Sequence, residues 1–156
     1  MTESLKPGDR APAFAMPADD GNTVSLKDFK GKKLVLYFYP KDDTSGCTKE
    51  ALAFTELKPK FEQAGAAILG VSKDSVPKHR KFKEKHGLDI ALASDEDGEV
   101  LEKYGVWVEK SMYGRKYMGI ERATFLIDES GVIRQIWRKV RVPGHAEAVL
   151  AALADA

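Results

Sequence analysis

The chain has 156 residues, of which 43% are hydrophobic and 31% charged, so we expect a single domain over residues 1–156 rather than two smaller ones. Its 25 Lys and Arg and 24 Asp and Glu leave a formal charge of +1, which argues against a global field that attracts nucleic acid or an anionic membrane. Because residues 1–16 lack a signal-peptide pattern and no apolar run is long enough to span a membrane, we expect a cytoplasmic protein with no membrane partner.

The first half of the chain predicts a hairpin followed by two buried strands joined by a helix. Apolar residues alternate on both sides of a turn at 19–21, which is typical of a β-hairpin. The apolar runs at 33–39 and 66–72 predict parallel strands, the first of them central. Ala51, Phe54, Leu57 and Phe61 recur between these strands at helical spacing up to Gly65. Pro59 falls inside this pattern and predicts a kink or break near Leu57.

The second half continues the alternation of strands and helices. It predicts a helix at 75–86 capped by Gly87, a strand at 90–94, a short helix at 100–104, a hairpin of strands at 122–128 and 132–140, and a last helix with Ala146, Val149, Leu150 and Leu153 on one face. The predicted fold class is therefore α/β, with a central mixed sheet flanked by helices and an N-terminal β-hairpin.

Cys47 is the only cysteine, so it forms no internal disulfide and is either a packing residue or a reactive thiol. It follows the loop after the predicted central strand, at the sheet edge where open α/β sheets bind ligands. The predicted helix starts near Cys47, and the N-terminus of a helix favours an anion. Since its neighbours Gly46 and Thr48 are also unlike the neighbours of a core residue, we expect a nucleophilic thiolate at Cys47.

The surrounding residues resemble a known family. Pro40, Thr44 and Cys47 have the P-x-x-x-T-x-x-C spacing of the peroxiredoxins, and FYPKDDTSGCTKEA is similar to the bacterioferritin comigratory protein, or peroxiredoxin Q, subfamily. The resemblance extends over nearly the whole chain, through LKPGDRAPAF, DFKGKKLVLYFYP, YGVW and GIERATFLID in the family's order. It implies a thioredoxin-like fold and thiol-dependent reduction of hydrogen peroxide and organic hydroperoxides.

The resemblance also implies roles for individual residues. Cys47 would be the peroxidatic cysteine, Thr44 the hydroxyl that orients peroxide, Pro40 a shield of the pocket and Arg122 the arginine that activates the thiolate. The chemistry requires hydrogen-bond donors to the departing oxygen, and the N–H of Gly46 or Cys47 is a further candidate. Each role has a structural alternative: Thr44 as a helix cap, Arg122 as a surface side chain and Pro40 as the end of the strand.

The chain departs from the family pattern where a second cysteine is often found. Leu52 stands five residues after Cys47, and the next predicted helix, with KFKEKHG, has no cysteine either. We therefore expect a single-cysteine enzyme whose sulfenic acid is reduced by an external thiol: glutathione, glutaredoxin, thioredoxin or a second subunit. Ser45 replaces a common proline, which predicts a looser loop entrance. We expect a monomer or a weak dimer.

The same residues bear on other functions. A peroxide-sensing thiol switch without efficient turnover remains the alternative function. A disulfide reductase is not expected, because it needs a C-x-x-C motif and this chain has Thr44 at the first position of that spacing. We expect no cofactor and no metal, since the three histidines are scattered, and we interpret His79, His86 and His145 as surface residues. Residues 110–119 indicate a loop bordering the site, where Lys110, Arg115 or Lys116 would add positive potential, and not a nucleic-acid patch.

Overall fold

The computed structural model describes residues 4–154, and the ends of the expected domain, residues 1–3 and 155–156, lie outside the described residues. The strands are β1 (Ala15–Pro17), β2 (Thr23–Ser25), β3 (Lys33–Phe38), β4 (Ala66–Ser72), β5 (Ala91–Ser94), β6 (Trp107–Met112), β7 (Arg115–Ile120), β8 (Ala123–Ile127) and β9 (Ile133–Trp137). The α-helices are α1 (Ser45–Gln63), α2 (Val76–His86), α3 (Glu99–Lys103) and α4 (His145–Leu153), and a short 3-10 helix covers Leu26–Phe29.

Five strands form the central sheet in the order β5-β4-β3-β8-β9, and β3 is the middle strand. β3, β4 and β5 run parallel, whereas β8 is antiparallel to β3 and β9 is antiparallel to β8. β1 and β2 form the expected N-terminal hairpin. The predicted α/β class with a mixed sheet is confirmed.

The apolar run of β3 is explained by cores on both faces of the sheet. Leu34, Leu36 and Phe38 point into one core, with the N-terminal hairpin and α3. The intervening side chains point into the other core, which α1, α2 and α4 cover. Because successive side chains of a strand point to opposite faces, a strand covered on both sides is apolar at every position.

Helix α1 is continuous through Pro59, so of the expected kink or break near Leu57, the break does not occur. Phe54 and Phe61 lie on either side of the proline in sequence, are fully buried and pack with their ring centroids 5.8 Å apart. Pro59 has no N–H to donate to the carbonyl oxygen of Thr55, and Thr55 is only half-buried, so water can reach that carbonyl. Packing of the inner face therefore keeps the helix continuous.

Residues 107–120 form an antiparallel hairpin, so the prediction of a loop at 110–119 was wrong. Tyr113 and Gly114 both have positive φ, of 52° and 78°, as a two-residue turn of the type that joins twisted strands requires. The side chains of residues 111–118 are exposed, which removes the apolar alternation that would have revealed two strands. Within residues 4–154, no helix is long and apolar enough to cross a membrane.

The sheet topology brings two distant segments to one edge. β3 ends at Phe38, which pairs with Ala123 at the start of the antiparallel strand β8. The residues that follow β3 and the residue that precedes β8, Arg122, therefore meet at the same edge of the sheet. This is the edge where α1 begins.

Candidate active site

Cys47 lies in the first turn of α1 and only 2% of its surface is exposed. Thr44 is the N-cap residue, so Cys47 is the third residue of the helix, as the sequence led us to expect. The first N–H groups of a helix have no intrahelical acceptor, and they concentrate positive potential around Cys47. One side of the thiol packs into the apolar core that contains Tyr37, Tyr39 and Phe54.

Arg122 contacts Cys47 directly. Its Nη2 donates a hydrogen bond to Cys47 Sγ over 3.3 Å, and its Nη1 donates to Glu50 Oε1 over 2.6 Å. Cys47 and Glu50 are three residues apart on one face of α1, so one planar guanidinium reaches both. The side chain of Arg122 is 16% exposed and that of Glu50 is 1% exposed, which makes this a largely desolvated ion pair.

The charges of this pair affect each other. Burial raises the pKa of Glu50 to about 7, although the adjacent Arg122 acts to lower it. Burial also acts to lower the pKa of Arg122, but the charges of Glu50 and Cys47 outweigh it and the pKa is raised. Arg122 therefore keeps its charge beside the sulfur. The second carboxylate oxygen of Glu50, Oε2, is buried and has no hydrogen-bond partner among residues 4–154.

Gly46 allows the close approach of Arg122 to the helix. A Cβ atom at this position would lie 3.3 Å from Arg122 Nη2, closer than side chains ordinarily pack. The absence of a side chain at residue 46 thus leaves room for the guanidinium beside Cys47.

Thr44 and Pro40 lie in the loop that precedes Cys47. The Thr44 hydroxyl donates to the carbonyl oxygen of Lys41 over 2.8 Å, and in the described part of the chain it does not cap α1. Since a hydroxyl has one proton, its lone pairs can still accept a hydrogen bond. Thr44 is exposed and Pro40 is half-buried, in the loop that leads to the buried thiol.

Of the three basic residues expected to border the site, Lys110, Arg115 and Lys116, it is Lys110 that interacts with Arg122 and Cys47. Burial lowers its pKa, and the charge of Arg122 lowers it further, while Cys47 acts in the opposite direction. The exposed Arg115 and Lys116 lie toward the hairpin turn. Positive potential near Cys47 therefore comes from Lys110 in addition to Arg122 and the helix N-terminus.

The interpretation of the histidines as surface residues was wrong for His79 and His145. His79 is fully buried against Asp42, and His145 is 6% exposed with Nε2 2.8 Å from Thr124 Oγ1. Burial lowers the pKa of His145 to about 4, and Arg122 adds to the effect. His86 is half-buried against Asp43.

Glu50 and His79 were missed at the sequence level. A weak signal existed for each: Glu50 is one helical turn after Cys47, and His79 is three residues before Phe82 on the buried face of α2. The burial of Glu50 and His79 could not be predicted from the sequence, because both have charged neighbours and because Glu and His occur more often on exposed helix faces.

The AhpC/TSA family model matches residues 7–136 of this chain. The match gives the class of protein in which this fold and this thiol site are found. Similar proteins include a putative peroxiredoxin bcp of Coxiella burnetii, 53% identical over 96% of this chain and 99% of the relative. Peroxiredoxin Bcp of Bacillus subtilis is 47% identical, with 97% of each chain covered.

Solved structures agree with these relatives. A structure of Xylella fastidiosa PrxQ has a TM-score of 0.93 at 41% identity, with 99% of this chain and 98% of that chain covered. Xanthomonas campestris peroxiredoxin Q has a TM-score of 0.87 at 48% identity, over 91% of this chain and 90% of that chain. The chain belongs to the AhpC/TSA family and, within it, to the Bcp or peroxiredoxin Q peroxiredoxins. The expected thioredoxin-like fold is confirmed by the similarity to these solved structures.

The raised pKa of Glu50 predicts a pH dependence of stability. The folded-state pKa of about 7 lies above the ordinary value of 4.5, so the stabilising contribution of Glu50 is present below about pH 4.5 and is lost as pH rises through 7. Glu50→Gln cannot ionise. Relative to this variant, the parent should lose up to about 3 kcal/mol of unfolding free energy over that range, measured by urea denaturation.

Glu56→Gln is the matched control, because Glu56 is exposed on the same helix. Its stability should follow that of the parent at every pH. Parallel pH profiles for Glu50→Gln and the parent would contradict a buried, titrating carboxyl at this position.

Proposed function

We propose that this peroxiredoxin reduces hydrogen peroxide and organic hydroperoxides with Cys47 as its peroxidatic cysteine. The observation that carries the proposal is the hydrogen bond from Arg122 to Cys47 Sγ, held by the second bond of Arg122 to Glu50. A relative supports the substrate class, since a solved structure of the bacterioferritin comigratory protein of Xanthomonas campestris concerns its alkyl peroxide reduction activity. In this proposal residues 1–156 act as one domain.

The chemical step is a displacement at oxygen. The Cys47 thiolate attacks one peroxide oxygen, the S–O bond forms and the O–O bond breaks. The electron pair leaves with the second oxygen, which takes up a proton and departs as water or an alcohol. The sulfur is oxidised to a sulfenic acid and the peroxide is reduced. Because negative charge moves from sulfur to the departing oxygen, a cation that spans both positions stabilises the transition state.

Arg122 has the position and the geometry for this task. Its guanidinium already touches the sulfur, and Glu50 fixes the guanidinium plane through Nη1. In the proposed complex the N–H groups of Gly46 and Cys47 donate to the reacting oxygens. The Thr44 hydroxyl accepts from peroxide while it donates to Lys41 O, and Pro40 covers the thiol from the loop side.

The catalytic cycle requires a thiol from another molecule. Cys47 is the only cysteine of the sequence, and Leu52, five residues after it, is 41% exposed. An external thiol condenses with the sulfenic acid to release water and form a mixed disulfide, and a second thiol then frees Cys47. Glutathione, glutaredoxin and thioredoxin are the candidate reductants. In this proposal the protein works in the reducing cytoplasm, as a monomer or weak dimer.

Turnover separates this enzyme from a peroxide-sensing thiol switch. With hydrogen peroxide and excess dithiothreitol in a stopped-flow instrument, the parent should consume many equivalents of peroxide. Cys47→Ser should consume peroxide only at the background rate of the thiol, because a hydroxyl does not ionise near neutral pH. A single slow equivalent of oxidation in the parent favours the sensor, and full turnover by Cys47→Ser refutes the mechanism.

The single cysteine predicts sensitivity to overoxidation. At high peroxide without thiol, Cys47 should advance from sulfenic to sulfinic and sulfonic acid, with activity lost in step. Mass spectrometry after graded peroxide treatment measures each state. Added glutathione should divert the sulfenic acid into a mixed disulfide and preserve activity.

Two substitutions at one position provide the comparison. Leu52→Cys supplies a nearby thiol that can trap the sulfenic acid if the first turns of α1 unwind, whereas Leu52→Ser has a similar size and no thiol. We expect Leu52→Cys, but not Leu52→Ser, to protect Cys47 from overoxidation. A parent that stays at the sulfenic stage under excess peroxide contradicts the unprotected cysteine.

A further inference from the structure

A second polar cluster lies behind the loop that carries Pro40 and Thr44, on the side of α2. Its members are Tyr39, Asp42 and His79, and all three side chains are buried. Tyr39 donates from its hydroxyl to Asp42 Oδ1 over 2.5 Å, and His79 Nδ1 lies 2.6 Å from Asp42 Oδ2. Both oxygens of the Asp42 carboxyl therefore have hydrogen-bond partners: Tyr39, which follows β3, and His79, which lies on α2.

The hydrogen-bond roles at His79 follow from its neighbours. Its Nε2 lies 2.9 Å from the carbonyl oxygen of Ala93. A carbonyl oxygen only accepts, so Nε2 carries the proton and donates it. A proton also lies between Nδ1 and Asp42 Oδ2, whichever of the two atoms holds it. His79 thus holds the Asp42 carboxyl directly through Nδ1, and its Nε2 makes a separate hydrogen bond to β5.

The backbone of Asp42 belongs to a peptide group that touches Thr44. The peptide between Lys41 and Asp42 is planar, so its N–H and C=O move together. The N–H donates to Asp74 Oδ2 over 2.7 Å, and the C=O accepts the Thr44 hydroxyl over 2.8 Å. Displacement of Asp42 would rotate this plane and remove the acceptor that sets the direction of the Thr44 hydroxyl.

We propose that His79 is a positioning residue for the reaction with peroxide, acting through Asp42 and the Lys41–Asp42 peptide on Thr44. The inference rests on the proposed function, because Thr44 matters only if peroxide binds beside Cys47. The hydrogen bonds of His79 go to Asp42, Ala93 and Tyr39, whereas the sulfur receives its hydrogen bond from Arg122. Loss of His79 therefore affects peroxide binding and leaves the thiolate intact.

Two amide substitutions separate the two hydrogen bonds of the ring. In His79→Asn the side-chain N–H stands near the place of Nδ1 and keeps the bond to Asp42, while in His79→Gln it stands near Nε2 and keeps the bond to Ala93. The second-order rate of Cys47 oxidation by hydrogen peroxide should fall about ten- to a hundredfold in His79→Gln, since small misplacements have effects of this size. With its bond to Asp42 kept, His79→Asn should remain within about threefold of the parent.

Alkylation of Cys47 by iodoacetamide is the second readout, because it requires the thiolate but not the peroxide-binding hydroxyl. The rate of alkylation and its pH profile should be the same in the parent and both variants. General loosening of the fold would instead expose the buried thiol and accelerate alkylation. A slow peroxide reaction with unchanged alkylation is thus specific to the positioning role.

The other outcomes overturn the proposal in distinct ways. An unchanged peroxide rate in His79→Gln shows that Asp42 does not transmit the effect. Equal slowing in both variants, or faster alkylation in His79→Gln, assigns His79 to stability alone. A parent that fails to react with peroxide refutes the proposed function instead, and the parent measurement distinguishes that failure from the others.

Discussion

Arg122 makes two charged hydrogen bonds at once, one to the thiol of Cys47 and one to the carboxyl of Glu50, and the rest of the site is arranged around it. A guanidinium can satisfy both because its donors are coplanar and fixed in a fork, which a lysine ammonium cannot reproduce. Burying such a pair is costly unless its geometry is good. The short bond to Glu50 offsets part of this cost and keeps Nη2 directed at the sulfur.

The fold supplies the constraint that makes this contact possible. Cys47 and Arg122 are 75 residues apart and meet only because β8 pairs with β3 in a fixed register. A slip of one residue between these strands would turn Arg122 to the other face of the sheet. Such a slip would also move Phe38 and Tyr37 into each other's core, and the close packing of the two cores disfavours this exchange. Packing far from the thiol thus determines where the positive charge lies.

The sequence predicted those features that depend on local patterns. β3 and α1 follow from apolar runs and periodicity, and the position of Cys47 at a helix start follows from the polar loop before it. Arg122 could be named only from family resemblance, because its partner is distant in the chain. His79 was misjudged because its burial depends on Asp42, 37 residues away, and on a carbonyl of β5. The hairpin at 107–120 escaped notice because much of it is exposed.

The central claim is that the charge of Arg122 makes Cys47 reactive toward peroxide. The most direct measurement is the second-order rate of Cys47 oxidation by hydrogen peroxide as a function of pH, in the parent, Arg122→Lys and Arg122→Ala. The account predicts that Arg122→Ala lowers the plateau of this rate by about a hundredfold, equivalent to roughly 3 kcal/mol of transition-state stabilisation. Arg122→Lys should recover only part of this loss, since it restores charge without the fork. An Arg122→Ala profile that coincides with that of the folded parent would contradict the account.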